Sequence, residues 1–118
     1  MIRCTVLLLL FVVLQSSNKR VLAIYTRDAK SALYKEQLRL LSEDKPGLED
    51  RNIKIETYIY NSKTAAAFNR KQVKGNFAII LTGKDGGDKF RSTKSVTLQK
   101  LYSIIDAMPM RIEEMKKN

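Results

Sequence analysis

Two runs with almost no polar residue, Arg20–Tyr25 (RVLAIY) and Phe77–Leu81 (FAIIL), decide most of what this chain can fold into. Neither alternates apolar with polar positions, so neither suits a strand with one wet face. Each asks to be a strand covered above and below, and the covering layers have to come from helices elsewhere in the same chain.

The remaining pattern supplies those helices. After the first run, Asp28 is placed to cap a helix that carries Leu33, Tyr34, Leu38 and Leu41 through Glu43 and ends before Pro46 and Gly47. Asn52–Tyr60 alternates, with Ile53, Ile55, Thr57 and Ile59 on one side and Lys54, Glu56, Tyr58 and Tyr60 on the other, as a half-covered strand does. Asn61 or Ser62 caps a short helical stretch through Ala65, Ala66, Ala67 and Phe68, and Gly75 closes the segment that follows. Beyond Phe77–Leu81, the residues Lys84-Asp85-Gly86-Gly87 favour a positive-φ turn, so Lys89-Phe90-Arg91 returns as a hairpin partner. Thr97 caps the last main helix, with Leu98, Leu101, Tyr102, Ile104 and Ile105 as its inner stripe until Pro109; Met110–Asn118 adds a turn or two of surface helix.

The order β-α-β-α-β-β-α, with a right-handed crossover and then a hairpin, predicts an α/β thioredoxin-like fold whose four-stranded mixed sheet runs 2-1-3-4. In that sheet the end of the first strand, the start of the third and the end of the fourth share one pole. The KDGG turn lies at the other.

The N-terminus has the three-part logic of a secretory signal: Arg3, an apolar stretch from Val6 to Leu14, then Ser16 and Ser17. Residues 1–16 are therefore expected to be a signal and residues 17–118 a single domain, exported to a periplasm or secreted. The apolar stretch is shorter than the roughly 20 residues a spanning helix needs, so no transmembrane anchor is expected. The alternative is that Val6–Leu14 is a buried first strand. The chain's one cysteine, Cys4, lies within the signal, so the domain beyond it has no thiol, and the chain has no histidine.

The formal charge of +10 falls to +9 when Arg3 leaves with the signal. Such an excess speeds encounter with anionic partners without specifying a site, and the bases are scattered with no specific nucleic-acid motif.

Three strings in the last third carry a family resemblance: Gly83-Lys84-Asp85-Gly86-Gly87, Lys89-Phe90-Arg91-Ser92, and Ile105-Asp106-Ala107-Met108-Pro109-Met110-Arg111 followed by Glu114-Met115. With them the chain, from about Arg20 to Met115, resembles the secreted family catalogued as domain of unknown function 4174. That resemblance implies a thioredoxin-like fold with peroxiredoxin affinity, found in short exported bacterial proteins and in vertebrate extracellular matrix and sushi-repeat proteins. It implies no catalytic residues.

Thiol chemistry on this fold needs a cysteine at the start of the first helix, where the chain reads Thr26-Arg27-Asp28-Ala29. The polar group expected there as a ligand site is Thr26, Arg27, Asp28, Lys74 and Arg91, against the reading in which Asp28 caps the helix, Arg27 is solvated and Arg91 pairs with a carboxylate. Gly83, Lys84, Asp85, Gly86, Gly87, Asp106, Pro109 and Arg111 are read as structural, with Asp106 holding Arg111. Without histidine or a mature cysteine, and with no Ca²⁺-loop spacing, neither metal nor cofactor is expected. The function that follows is a non-catalytic binding module for an envelope or extracellular protein or anion. The alternatives are an accessory redox or peroxide-response protein, and an interaction domain that pairs through the edges of its second or fourth strand.

Overall fold

A computed structural model describes residues 19–117, so the proposed signal lies outside the described residues. Strands β1 (Arg20–Thr26), β2 (Ile53–Ile59), β3 (Phe77–Thr82) and β4 (Asp88–Ser92) form one sheet in the order β2-β1-β3-β4. β1 and β2 are parallel, and β3 is antiparallel to β1 and β4. This is the topology expected from the sequence. The two apolar runs are the central strands, and their alternate residues feed two cores.

Leu22 and Ile24 of β1 and Ile79 and Leu81 of β3 point to one face, where they meet Tyr34, Leu41, Leu48, Leu101 and Ile105. These come from helices α1 (Ala32–Leu41), α2 (Lys45–Asp50) and α4 (Leu98–Asp106). Ala23, Tyr25, Ala78 and Ile80 point to the other face and meet Phe68 of α3 (Ala65–Arg70). A fifth helix, α5 (Pro109–Lys117), leaves α4 at Pro109 and buries the side chain of Arg111. Among the described residues no helix is long and apolar enough to cross a membrane.

The first helix departs from expectation at its start and on its inner face. Asp28 does not cap it: the Asp28 carboxylate accepts from the Lys30 amide within a turn, and α1 begins at Ala32 behind Ser31. Leu33 and Leu38 are exposed while Gln37 is fully buried. Gln37 donates through Nε2 to the Val96 carbonyl at 3.0 Å and accepts the Val96 amide at 2.7 Å, stapling α1 to the segment before α4. Gln37→Leu keeps the bulk and strands both Val96 groups in the core, so the unfolding midpoint in urea should fall by the equivalent of about 2 kcal/mol. A loss within error would mean Val96 finds water.

Pro46 and Gly47, expected to follow a helix end, open α2 instead. Proline suits a first turn, where its missing N–H costs nothing, and Asp44 caps the helix by accepting from the Gly47 amide at 3.1 Å. Gly47 is required there, because a methyl group would stand inside contact distance of the Asp44 carboxylate and the Tyr102 hydroxyl. The isoleucines of β2 are less covered than the alternation implied. β2 is an edge strand, so Ile53 is buried but Ile55 and Ile59 remain exposed, and on the opposite face Tyr58 stacks on Tyr25 at 4.9 Å. Thr97 does cap α4, accepting from the Lys100 amide.

Candidate functional site

The sheet brings Thr26, Arg27, Asp28, Lys74 and Arg91 to one pole, and the main chain takes up most of their polar groups. Thr26 is buried and its hydroxyl donates to the Asp28 carbonyl at 2.8 Å, within a turn that ends β1. Arg27 donates to the carbonyls of Gly75 and Val73 at 3.0 and 3.3 Å, and its guanidinium lies 4.4 Å from the Tyr60 ring centroid. Arg91 donates to the carbonyls of Lys71 and Gln72 at 2.7 and 2.9 Å, rather than to a carboxylate. Both arginines thus brace the segment between α3 and β3, where Gln72 adopts φ 55°. Lys74 is exposed beside them. The N-terminus of α1, an end that favours an anion, starts beyond Ser31 rather than at Asp28.

The opposite pole gathers the family strings. The hairpin turn closes with the Gly83 amide on the Gly87 carbonyl, and Gly86 alone of its glycines has positive φ, at 86°. Asp85 accepts from the Gly87 amide and from Lys89 Nζ at 2.8 Å. From this turn Lys84 reaches Glu114 of α5 at 2.7 Å. Glu114 also takes both terminal nitrogens of Arg20, at 3.2 and 3.1 Å, and Arg20 is only 1% exposed. One carboxylate therefore ties the first strand, the hairpin turn and the last helix together.

Arg111 does the same for α2, α4 and α5. It is 4% exposed and donates to Asp50 at 2.7 Å, to the Asp50 carbonyl at 3.0 Å and to Asp106 at 3.1 Å. Asp106 also accepts a bidentate pair from Arg51 at 3.1 and 2.9 Å, and the Arg51 guanidinium lies 3.7 Å from the Tyr102 ring centroid. Burial and the hydrogen bond to Asp44 push the Tyr102 hydroxyl up to about 12. The Arg51 hydrogen bonds lower Asp106, outweighing its burial, with Arg111 adding to the effect. Burial by itself raises Glu114, but the hydrogen bonds from Arg20 and Lys84 exceed it and hold the carboxyl below its usual range.

Because the folded-state values of Asp106 and Glu114 lie below the unfolded ones, their stabilisation is complete above about pH 5 and is lost as the pH falls through the depressed range. Thermal melts should therefore lose stability steeply below about pH 4, and Glu114→Gln should flatten that slope. Parallel slopes for the two proteins would contradict it.

Between the turn and α5 lies a cavity of about 360 Å³, lined by Arg20, by Gly83, Lys84, Asp85 and Lys89 on one side and by Met108, Pro109 and Met110 on the other. The sequence assigned Gly83–Gly87, Asp106, Pro109 and Arg111 to structure, and did not bring them to one place. Arg20 was missed because it begins an apolar strand. A charged residue at the edge of an otherwise apolar run was the available signal.

Residues 14–114 match the family described as Domain of unknown function (DUF4174). Sushi repeat-containing protein SRPX of Rattus norvegicus is 28% identical over 114 residues, which cover 83% of this chain and 25% of that protein. The Mus musculus protein is 26% identical over the same shares. The chain thus spans about a quarter of the length of these curated relatives. A crystal structure of reduced Plasmodium vivax 2-Cys peroxiredoxin superposes with a TM-score of 0.64 at 12% identity, covering 86% of this chain and 82% of that one. At that identity the likeness is one of fold, and it is the thioredoxin-like fold read from the element order.

Proposed function

Because the chain belongs to the DUF4174 family and has the thioredoxin-like fold, we propose that it is an exported, non-catalytic binding module whose working surface is the pole built from the hairpin turn and α5. One observation carries the proposal: the family's strings converge there around a cavity, while the pole that would hold a reactive thiol is a turn of Thr26, Arg27 and Asp28 bound to its own main chain. Thiolate chemistry on this fold requires sulfur beside a helix N-terminus, and no other side chain replaces it. Residues 1–16 serve as the signal and residues 17–118 as one domain, in the periplasm or beyond the cell. The net charge of +9 that remains once Arg3 leaves with the signal supports an anionic partner, protein or otherwise.

The purified protein, used as bait in an envelope extract, should retain a specific partner through washing at about 0.5 M NaCl, where screening leaves a Debye length of only ~4 Å. Mass spectrometry identifies what is held. Capture of polyanions alone, all released by that wash, would reduce the binding to generic charge and overturn the proposal.

A further inference from the structure

The cavity between the hairpin turn and α5 has two chemically different sides. Lys84 and Lys89 stand on the turn side and Met108, Pro109 and Met110 on the other, and Arg20, only 1% exposed, also lines the space. Around it three cations, Arg20, Lys84 and Lys89, face two carboxylates, Glu114 and Asp85. Each lysine ammonium has three protons and donates one to its carboxylate partner. Among the described residues Arg20 Nε has no hydrogen-bond acceptor although the residue is 1% exposed, so a buried cation beside the cavity keeps one donor unused there. Pro109 and Met110 also open α5, the end of a helix where the main-chain dipole is positive.

The opposite side is apolar. Methionine is flexible and polarisable and adapts to hydrocarbon of varied shape, and Met110 is half exposed at the rim. A volume of about 360 Å³ lies at the small end of the range for small-molecule sites. We infer that this cavity binds a small monoanionic organic acid, its carboxylate set toward Arg20, Lys84 and Lys89 and its hydrocarbon part against Met108 and Met110. The inference rests on the binding-module proposal and gives that pole a ligand class. A single negative charge balances the single surplus cation. A bare inorganic anion would leave the methionine wall wet, and a neutral hydrocarbon would leave the cationic side without a counter-charge.

Calorimetric titration of the full protein with octanoate, acetate and 1-octanol tests both halves. Octanoate should bind with one-to-one stoichiometry, and acetate and 1-octanol each about tenfold or more weaker, since each lacks one half of the match. Lys89→Gln and Met110→Ser should each weaken octanoate severalfold while the far-ultraviolet dichroism stays unchanged. Lys100→Gln, on the exposed face of α4, should leave the affinity alone. Equal binding of octanoate and acetate, equal binding of octanoate and 1-octanol, or equal losses from Lys89→Gln and Lys100→Gln would each overturn the inference. Should octanoate not bind while Lys89→Gln and Met110→Ser abolish salt-resistant capture of a protein partner, the ligand class falls and the binding module stands. Should both tests fail, the proposal falls with it.

Discussion

Arg111→Ala should destabilise the protein by about 3 kcal/mol, a drop in melting temperature of roughly 12–20 °C for a domain of this size. Arg111 lies near the end of the chain, yet its guanidinium is buried and binds Asp50 and Asp106 on two other helices, with Glu114 at 3.7 Å. Removing it deprives Asp50 of its charged partner and the Asp50 carbonyl of a donor, while Asp106 keeps Arg51 and Glu114 keeps Arg20 and Lys84. The cost belongs at the lower end for a buried pair because Asp50 is 55% exposed and can turn to water. Arg111→Lys restores a charge but not the planar fork, so it should recover less than half of the loss. Denaturant melts of the three proteins decide the matter. A cost for Arg111→Ala below about 1 kcal/mol would place the cluster among solvent-screened surface pairs.

Phe68→Ala should cost about 3–5 kcal/mol, the usual range for emptying a buried aromatic site. Phe68 has no exposed surface and is the largest fully buried side chain in the core between α3 and the sheet. Tyr25 and Tyr60 meet it edge-on at centroid distances of 5.3 and 5.0 Å, and the Arg27 guanidinium lies 5.4 Å from its ring. That core has few members, Ala23, Val73, Ala78 and Ile80 among them, so neighbours cannot close the space left behind. The loss should also release Arg27 from its aromatic shelf, and amide exchange at Gly75 and Asn76 should quicken beyond what the global destabilisation explains. Phe68→Leu should recover more than half of the stability. If alanine and leucine variants melt together, the core on this side is loosely packed.

Sequence pattern reached the fold because the sheet is written in local terms. RVLAIY and FAIIL announce buried strands, the isoleucine alternation announces a half-covered strand, and the short KDGG link forces an antiparallel return. The start of the first helix is not legible because Asp28 has the side chain of a cap but uses it two residues ahead, in a turn. The helix at Lys45–Asp50 was missed because Pro-Gly reads as a stop, while the feature that makes it a start, Asp44 accepting from the Gly47 amide, depends on the tertiary contact with Tyr102.

The candidate pole was legible only in part. The pairing of Asp106 with Arg111 is separated by five residues and could be read directly. Arg20 with Glu114 is separated by 94, and no single-sequence spacing reports such a pair. Arg27 and Arg91 read as ligand candidates because they are cations near the expected redox position. Their main-chain carbonyl partners carry no side-chain signal, which is why their bracing role was not visible.

If this thioredoxin-like domain works by binding and without a thiol, it has no means of reducing peroxide. Hydrogen peroxide consumption by the purified full-length protein in the presence of a thiol reductant, run alongside a Cys4→Ser variant, decides the point. Both proteins should leave peroxide at the rate of the reductant alone. Saturable turnover by either one would overturn the binding reading.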